Sequence, residues 1–449
     1  TEPYEVPEEV EMGLKITEKT GAKFSPPPYA VEAETEGERA VVVLVAEPGY
    51  HLWNQVEFAA TAEGLVVKLD TEGHADPAAL APHLSVAVLR GNPDEGRMDL
   101  LARGMRDLYP EGTAETEEPK PEWWHRPIYC GWGDQVSASM WLEGVGNEWR
   151  AGNYCIQGLY DRWISRLEEA DVPLGSVTID AGWSTGRLEP NSKWPDLGGF
   201  IASQHEAGRR VLLWIGTFPG AADLPEDWCY ESPDGKRRAD PTHPEYRAFL
   251  RRRVEELISP EGYDADGFKI DQLSRGPTER RPWRGTGRGG TKTRDPEHSL
   301  IDLAGEGWGC ELLREHQMDI YGPAKKAKSD PLITSSTVHP YFHDTLDMVR
   351  LHDTGQVEAV MAAMGARARL ARAALPGKLV DTDDWISCDY DLSTEAMTST
   401  DRVGKSCLFY AERFMENWEE EPATRLIPLE DLRKIGETWR EVGLAQIQD

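Results

Sequence analysis

The sequence predicts a (β/α)8 TIM barrel preceded by an N-terminal β-sandwich domain, which places the chain in the α/β class. After position 125, eight short apolar strand segments alternate with helical stretches, and eight such units close a barrel of parallel strands. Before position 115, alternating β-branched segments are divided by Gly, Pro and charged turns, which is typical of a sandwich. A doubly wound open sheet is the alternative for the second part, but no Gly-x-Gly-x-x-Gly motif or phosphate loop follows its first strand.

The expected domains are a sandwich at 1–115, a Glu- and Pro-rich linker at 116–125, and a barrel with C-terminal helices at 126–449. Sandwich strands are expected at 40–45, 64–69 and 84–89. Barrel strands are expected at 128–132, 176–180, 211–215, 266–271, 332–336, 347–351, 378–381 and 406–410. Helices are expected at 153–170, 197–207 and 429–442.

The charge balance excludes several partners. The chain has 79 acidic and 49 basic residues, a net charge of -30 and a pI near 4.8, so its surface repels nucleic acid and anionic membranes. No apolar run reaches the roughly 18 residues of a membrane span. The acidic excess fits either a salt-adapted, halophilic protein or an ordinary acidic enzyme, and it leaves a homo-oligomer open.

The six cysteines are widely separated and form no Cys-x-x-Cys pair, which argues against a zinc ribbon or a disulfide scaffold. Reduced thiols fit a cytoplasmic location. The chain opens without an apolar signal region, so any targeting segment is expected to be absent or removed.

The strand that ends Lys269-Ile270-Asp271 predicts chemistry at its C-terminal end. Residues i and i+2 of a strand share one face, so Lys269 and Asp271 point the same way. A cation beside a carboxylate favours the ionised form, which suits a nucleophile or a charge stabiliser. The alternative is an Asp that caps the next helix, with Lys269 as a salt-bridge partner.

In a barrel the C-terminal strand ends meet at one mouth, so the side chains that follow each strand should converge. These are Trp132, Asp180, Trp183, Trp214, Lys269, Asp271, Arg350, Asp353 and Asp381. Several carboxylates among tryptophans suit a glycosidase, in which acids act on the glycosidic bond and aromatic rings hold the sugar. His339, His343 and His352 are close in sequence, but no His-x-His motif follows the first strand, so we expect neither a metal nor a cofactor.

Four motifs carry a family resemblance over roughly residues 125–410. They are Lys269-Ile270-Asp271; Ile179-Asp180-Ala181-Gly182-Trp183, followed by Trp194-Pro195-Asp196-Leu197 and His205-Glu206-Ala207-Gly208; Asp240-Pro241-Thr242-His243-Pro244-Glu245-Tyr246; and Arg350-Leu351-His352-Asp353-Thr354. In order and spacing they resemble clan D glycoside hydrolases, most of all glycoside hydrolase family 36.

The resemblance implies a retaining, exo-acting α-glycosidase of the α-galactosidase kind. It makes Asp271 the nucleophile and Asp353 the general acid/base, and a retaining pair stands about 5–5.5 Å apart. Arg350 would orient a carboxylate or a sugar hydroxyl. The substrate-binding residues would include Trp132, Asp180, Trp183, Trp214, Lys269, Arg350 and Asp381. Asp347 is a rival for the acid/base, with a strand-start cap as its structural alternative.

Two departures from the family leave the sugar open. The α-galactosidases end the second strand in two adjacent acids, whereas here Asp180 is followed by Ala181. The usual C-terminal β-sandwich is also not expected. A transglycosylase of the raffinose-synthase kind and a non-catalytic carbohydrate-binding protein therefore remain as alternatives.

A basic segment follows the strand that carries Asp271. Between Arg275 and Arg294, seven Lys and Arg residues stand against the single acid Glu279. Such a segment could bind an anionic sugar through bidentate Arg contacts. The alternative is a surface loop that pairs with the acidic shell or with a neighbouring subunit.

Overall fold

The computed structural model describes most of the chain after residue 28. The described residues are 29–35, 38–61, 64–92, 95–110, 119–216, 223–231, 237–271, 301–351, 360–382, 386–399, 404–417 and 420–442. Asp353, His352 and the basic segment 275–294 lie outside these ranges.

The N-terminal part contains two antiparallel sheets, as expected for a sandwich. Its elements are β1 (Ala30–Thr35), β2 (Glu38–Ala46), β3 (Gln55–Thr61), β4 (Gly64–Asp70), α1 (Pro77–Leu80), β5 (Leu84–Arg90) and α2 (Arg97–Leu108). One sheet has the order β1-β2-β5, and β3 and β4 form a separate hairpin. The three strands predicted from the sequence correspond to β2, β4 and β5.

Helix α2 corrects the all-β reading of this part. Its apolar residues Met98, Leu101, Met105 and Leu108 recur at intervals of three and four, which is the helical period. The helix packs against β2 and against a helix of the second part. Gly104 permits the close approach to the sheet, since a Cβ atom there would lie 1.8 Å from a methyl carbon of Leu89.

The second part alternates strands and helices. Its elements are β6 (Ile128–Cys130), α3 (Trp132–Glu143), α4 (Gln157–Glu169), β7 (Ser176–Ile179), α5 (Leu197–Glu206), β8 (Arg210–Gly216), β9 (Cys229–Glu231), β10 (Arg237–Ala239), α6 (Pro244–Ile258), β11 (Gly267–Asp271), α7 (Gly309–Ala327), β12 (Leu332–Ser335), β13 (Met348–Arg350), α8 (Val360–Ala374), β14 (Leu379–Asp381), α9 (Tyr390–Thr398), β15 (Cys407–Leu408), β16 (Arg413–Met415), β17 (Thr424–Leu426) and α10 (Leu429–Val442).

Eight parallel strands form the barrel, in the order β14-β13-β12-β11-β8-β7-β6-β15. The ring closes between β14 and Lys405, which lies just before β15. The Lys405 N–H donates to the Val380 carbonyl at 2.8 Å, and the Thr382 N–H donates to the Lys405 carbonyl at 2.9 Å. Each predicted barrel strand is present. The closed ring confirms the (β/α)8 barrel and rules out the open doubly wound sheet.

Strand register decides which side chains point into the barrel. Residues paired across neighbouring strands share a face, and residues two apart on one strand also share a face. Starting from Lys269, the residue pairings between neighbouring strands identify the inward-facing residues of every strand around the ring. The inward set near the mouth is Cys130, Asp180, Trp214, Lys269, Asp271, Arg350, Asp381, Lys405 and Phe409.

The outward faces of the barrel strands are apolar and wholly buried. Examples are Val177, Leu213, Phe268, Ile333 and Val349, each with no more than about 1% exposure. The main hydrophobic core therefore lies between the strands and the surrounding helices, while the interior near the mouth holds polar and charged side chains together with Trp214 and Phe409.

The N-terminal part packs beside the first turn of α7, which follows the C-terminal end of β11. The Cys310 and Glu311 N–H groups donate to the carbonyls of Trp53 and His51, at 3.1 and 3.0 Å. One hydrophobic core runs through both parts, and the predicted domain boundaries stay a prediction. Among the described helices, none combines the length and apolarity needed to cross a bilayer.

Candidate active site

Asp271 ends strand β11 at the mouth of the barrel. Its Oδ2 accepts a hydrogen bond from the Trp214 indole at 3.1 Å, and its Oδ1 lies 3.4 Å from Arg350 Nη1. Arg350 is itself fixed, since the same nitrogen donates to the Ile270 carbonyl at 3.1 Å. An N–H donor and a cation both favour a negatively charged carboxylate. These contacts hold Asp271 towards the barrel interior.

Trp214 is placed by two neighbours. A Cβ atom at Gly216 would lie 2.5 Å from the indole of Trp214. The ring therefore fits only because residue 216 is a glycine. The Trp183 indole donates to the Trp214 carbonyl at 2.9 Å. Trp183 is completely buried, and its role in substrate binding stays a prediction. Its indole supports Trp214 and offers no exposed ring face to a sugar.

Lys269 points towards Asp180. Its ammonium nitrogen lies 2.9 Å from Asp180 Oδ2 and 3.3 Å from the Cys130 sulfur. The sequence analysis placed this cation beside Asp271, but the lysine side chain extends across the barrel to β6 and β7. Arg350 supplies the cation beside Asp271. The interior therefore holds two acid-base pairs, Lys269–Asp180 and Arg350–Asp271.

Asp180 is held by several hydrogen bonds. Its Oδ1 accepts the Ala181 N–H at 2.7 Å, and its own N–H donates to the Tyr160 hydroxyl at 2.9 Å. The Cys130 thiol donates to Oδ2 at 3.1 Å. With 2% of its surface exposed, Asp180 can change orientation little.

Asp381 and Lys405 are a further buried acid and base, on neighbouring strands. Both side chains point inward from the strands that close the ring. Burial lowers the pKa of Lys405 below its ordinary value, while the negative charge of Asp381 acts in the opposite direction. Trp132, the remaining predicted residue, is half-buried at the start of α3, directly after β6.

Sequence reasoning missed Cys130, Tyr160, Lys405 and Phe409. Phe409 lies under Lys269, with its ring centre 5.4 Å from the ammonium nitrogen. The alternation of strand residues could have flagged Cys130 and Phe409, since both fall within predicted strands. Lys405 precedes its predicted strand, and the contact of Tyr160 with Asp180 depends on how α4 packs.

Asp347 lies at the opposite end of the barrel. It precedes β13, where its carboxylate accepts the Ile333 N–H at 2.8 Å, the Lys325 ammonium at 2.8 Å and the Tyr321 hydroxyl at 3.2 Å. These contacts match the strand-start cap. Asp353, its rival for the acid/base role, lies outside the described residues, so its distance from Asp271 is not defined.

The remaining motifs hold the scaffold. Asp240 accepts the Thr242 N–H at 2.8 Å and the Ala304 N–H at 2.7 Å, which ties the segment after β11 to the segment before α6. The Trp194 indole donates to the Cys155 carbonyl at 2.9 Å. His205 Nε2 lies 2.7 Å from Asp266 Oδ2, at the start of β11.

Two of the three histidines considered as metal ligands, His339 and His343, have protein partners near the mouth. His339 Nδ1 accepts the Tyr341 N–H at 3.0 Å, and His343 Nδ1 lies 3.1 Å from the Pro340 carbonyl. Within the described ranges, no group of three or more His, Cys, Asp or Glu side chains has an arrangement that could hold a metal ion.

The fold is similar to that of several solved structures. The cycloalternan-degrading enzyme from Trueperella pyogenes, in complex with a covalent intermediate, matches 93% of this chain with a TM-score of 0.56 and 15% identity. The same enzyme with isomaltose matches 94%, with a TM-score of 0.56 and 16% identity. A mutant of Kfla1895 in complex with cyclobis-(1→6)-α-nigerosyl matches 89%, with a TM-score of 0.54 and 14% identity.

At this level of identity the match establishes a shared fold. The chain spans 57%, 59% and 54% of the lengths of these three structures, so it covers somewhat more than half of each. No family model matches the chain, and no curated protein matches it in sequence.

Proposed function

We propose that this chain is a retaining, exo-acting α-glycosidase in which Asp271 is the nucleophile and Asp353 the general acid/base. The observation that carries the proposal is the setting of Asp271: an aspartate at the barrel mouth, held by Arg350 and Trp214 and accompanied inside the barrel by the Lys269–Asp180 pair. The resemblance to clan D glycoside hydrolases and the shared fold with a cycloalternan-degrading enzyme support it.

In the first step an Asp271 oxygen attacks the anomeric carbon while Asp353 gives its proton to the leaving oxygen. The glycosidic bond breaks, the aglycone leaves as an alcohol, and a β-linked glycosyl ester forms on Asp271. Arg350 and the Trp214 indole hold the attacking carboxylate in one orientation, which lowers the entropic cost of reaching the transition state.

In the second step Asp353, now ionised, removes a proton from water, and the water oxygen attacks the anomeric carbon. The ester bond to Asp271 breaks and the sugar leaves with the configuration of the substrate. Lys269 and Asp180 would bind a sugar hydroxyl, since an ammonium donates and a carboxylate accepts. Trp214 and Trp132, both half-buried, would contact the ring.

For the sugar we propose an α-linked glucose unit rather than galactose. Ala181 removes the second of the adjacent acids that the α-galactosidases use, which weakens the case for galactose. The ligands named for the similar structures, isomaltose and cyclobis-(1→6)-α-nigerosyl, are built from α-linked glucose. Binding of an anionic sugar by the basic segment 275–294 stays a prediction from the sequence.

Two other functions use the same site. A transglycosylase would transfer the sugar from Asp271 to another sugar in place of water, and a binding protein would hold the sugar without turnover. Product analysis with and without an acceptor sugar separates the first from hydrolysis. An Asp271→Asn variant separates the second, because an enzyme loses turnover but retains binding.

The test is turnover of aryl α-glycosides carrying glucose, galactose, xylose or a uronic acid, at low and at molar salt. Wild type should cleave the glucoside fastest, and Asp271→Ala should lose at least a thousandfold in kcat. Asp227→Ala, at an exposed site on the same part of the chain, is the matched control and should retain activity. Turnover by Asp271→Ala equal to that of the control would overturn the proposal.

The role of Asp353 is tested with leaving groups of different acidity. A dinitrophenolate departs without protonation, whereas an alcohol needs a proton from the general acid. Asp353→Ala should therefore retain most of the first chemical step on the dinitrophenyl glucoside and lose it on isomaltose. Equal losses on both substrates would assign the acid to another residue.

A further inference from the structure

A buried thiol is built into the Lys269–Asp180 pair. Cys130 is the last residue of β6, and its side chain is 1% exposed. The sulfur lies 3.1 Å from Asp180 Oδ2 and 3.3 Å from the Lys269 ammonium nitrogen. Because Lys269 and Asp180 also contact each other at 2.9 Å, the three groups form a closed triangle.

Each side of this triangle restrains a polar group that would otherwise rotate. A lysine ammonium is a point charge on a flexible stem and has no fixed direction of its own. The Cys130 sulfur accepts from it and the Asp180 oxygen accepts from it, which fixes the nitrogen relative to strands β6 and β7. The thiol proton then points at Asp180, which already accepts the Ala181 N–H on its other oxygen.

The backbone around the thiol is equally restrained. A Cβ atom at Gly131 would lie 2.1 Å from the Tyr160 hydroxyl, so the chain after Cys130 passes directly against that side chain. The same hydroxyl accepts the Asp180 N–H at 2.9 Å and donates to Gln135 at 2.7 Å. Cys130 and Asp180 are therefore positioned by one shared neighbour.

We propose that Cys130 is a positioning residue for sugar recognition: its thiol directs the Lys269 ammonium and the Asp180 carboxylate towards one hydroxyl of the bound sugar. The inference rests on the proposed glycosidase function and adds to it a residue and a specific role. The proton stays on sulfur throughout, and no covalent step involves the thiol.

Substitution at position 130 separates this role from simple packing. Cys130→Ser retains a donor and an acceptor at nearly the same place, whereas Cys130→Ala removes both. We expect kcat/KM for the aryl α-glucoside to fall by a factor of 10 or more in Cys130→Ala and by less than fivefold in Cys130→Ser. Cys388→Ala, at the exposed cysteine, should match wild type.

Deoxy sugars provide the deciding measurement. The 2-, 3-, 4- and 6-deoxy analogues of the aryl glucoside each lack one hydroxyl. If the triangle binds one hydroxyl, Cys130→Ala should be less active than wild type on the parent glucoside and on the three analogues that retain this hydroxyl. On the analogue that lacks it, the two proteins should differ less than twofold. An equal loss on all five substrates would show a general structural effect and overturn the proposal, as would no loss on any.

Failure of the glycosidase function itself has a different signature, since wild type would then turn over none of the five. Calorimetric titration of wild type and Cys130→Ala with glucose and the four deoxyglucoses would then decide. Selective weakening by Cys130→Ala for every sugar except one supports the positioning role without catalysis. Equal affinities for the two proteins, or no binding by wild type, would overturn it.

Discussion

Arg350 illustrates how a single side chain links the scaffold to the proposed nucleophile. It is 2% exposed and uses one nitrogen to reach both the Ile270 carbonyl and the Asp271 carboxylate. The guanidinium is planar and branched, so it can serve two acceptors from one position. A lysine in its place has one nitrogen on a flexible stem and the same charge.

We therefore expect Arg350→Lys to lower kcat about 100-fold, which corresponds to roughly 3 kcal/mol of transition-state stabilisation. KM should change little, because the loss falls on the orientation of Asp271 rather than on the sugar. Steady-state kinetics on the aryl glucoside provide the measurement, with Arg187→Ala at the protein surface as control. A rise in KM with unchanged kcat would instead assign Arg350 to substrate binding.

At the scale of the element, α7 carries a histidine that ties stability to pH. Burial lowers the pKa of His316 from 6.5 to about 4, with Asp319 acting against the shift and Arg247 adding to it. Below pH 6.5 His316 binds a proton in the unfolded chain, whereas in the folded chain it stays neutral until about pH 4. The stabilisation is therefore complete above pH 6.5 and is lost as the pH falls to about 4.

His316→Met removes this titration with little change in volume. Urea denaturation across this pH range should show that wild type loses roughly 3 kcal/mol more stability than the variant, since each pKa unit corresponds to about 1.4 kcal/mol. The remaining loss has contributions of the same sign from His51 and His339, whose pKa values burial also lowers. His83→Gln, near the surface, is the control; a variant with the wild-type pH dependence would contradict this account.

Sequence reasoning succeeded best at the level of strands and helices. The eight barrel strands were predictable because each is a short apolar segment and several of them are followed by a helix, and α10 was predictable from its amphipathic period. Helix α2 was missed because it lies in a region rich in β-branched runs, and the whole region was predicted to be a β-sandwich. Asp347 became clear once strand direction was known, since a carboxylate before a strand and one after it face opposite ends of the barrel.

The side-chain pairing inside the barrel could not be read from the sequence. Lys269 is two residues from Asp271 but contacts Asp180, which is 89 positions away along the chain. That choice depends on the stagger of strands around a closed ring, and this stagger is a property of the whole barrel. Lys405 was missed for the same reason, because it faces Asp381 across the closing seam.

At the scale of the molecule, Glu311 joins the N-terminal part to the barrel. Its carboxylate accepts the Gly49 N–H at 3.1 Å and the Tyr341 hydroxyl at 2.7 Å. Burial acts to raise the pKa of Glu311, but the contacts with His51 and Tyr341 outweigh it and leave the pKa below its ordinary value. The carboxylate is thus ionised at neutral pH where the two parts meet.

Replacing Glu311 with Ala should lower the free energy of unfolding by about 2 kcal/mol, since it leaves buried donors without their acceptor. Because one hydrophobic core runs through both parts, we expect one cooperative transition that moves as a whole. Glu306→Ala, exposed on the segment just before α7, serves as control. Two separate transitions, with just one of them shifted, would show that the parts unfold independently.

The central claim is that Asp271 forms the covalent bond to the sugar, and azide rescue tests it most directly. Asp271→Ala should be nearly inactive on the aryl α-glucoside, and added azide should restore turnover by attacking from the vacated side of the ring. The account predicts a β-glycosyl azide, identified by the anomeric proton coupling in the NMR spectrum of the product. An α-glycosyl azide, or no rescue together with full activity of the variant, would contradict it.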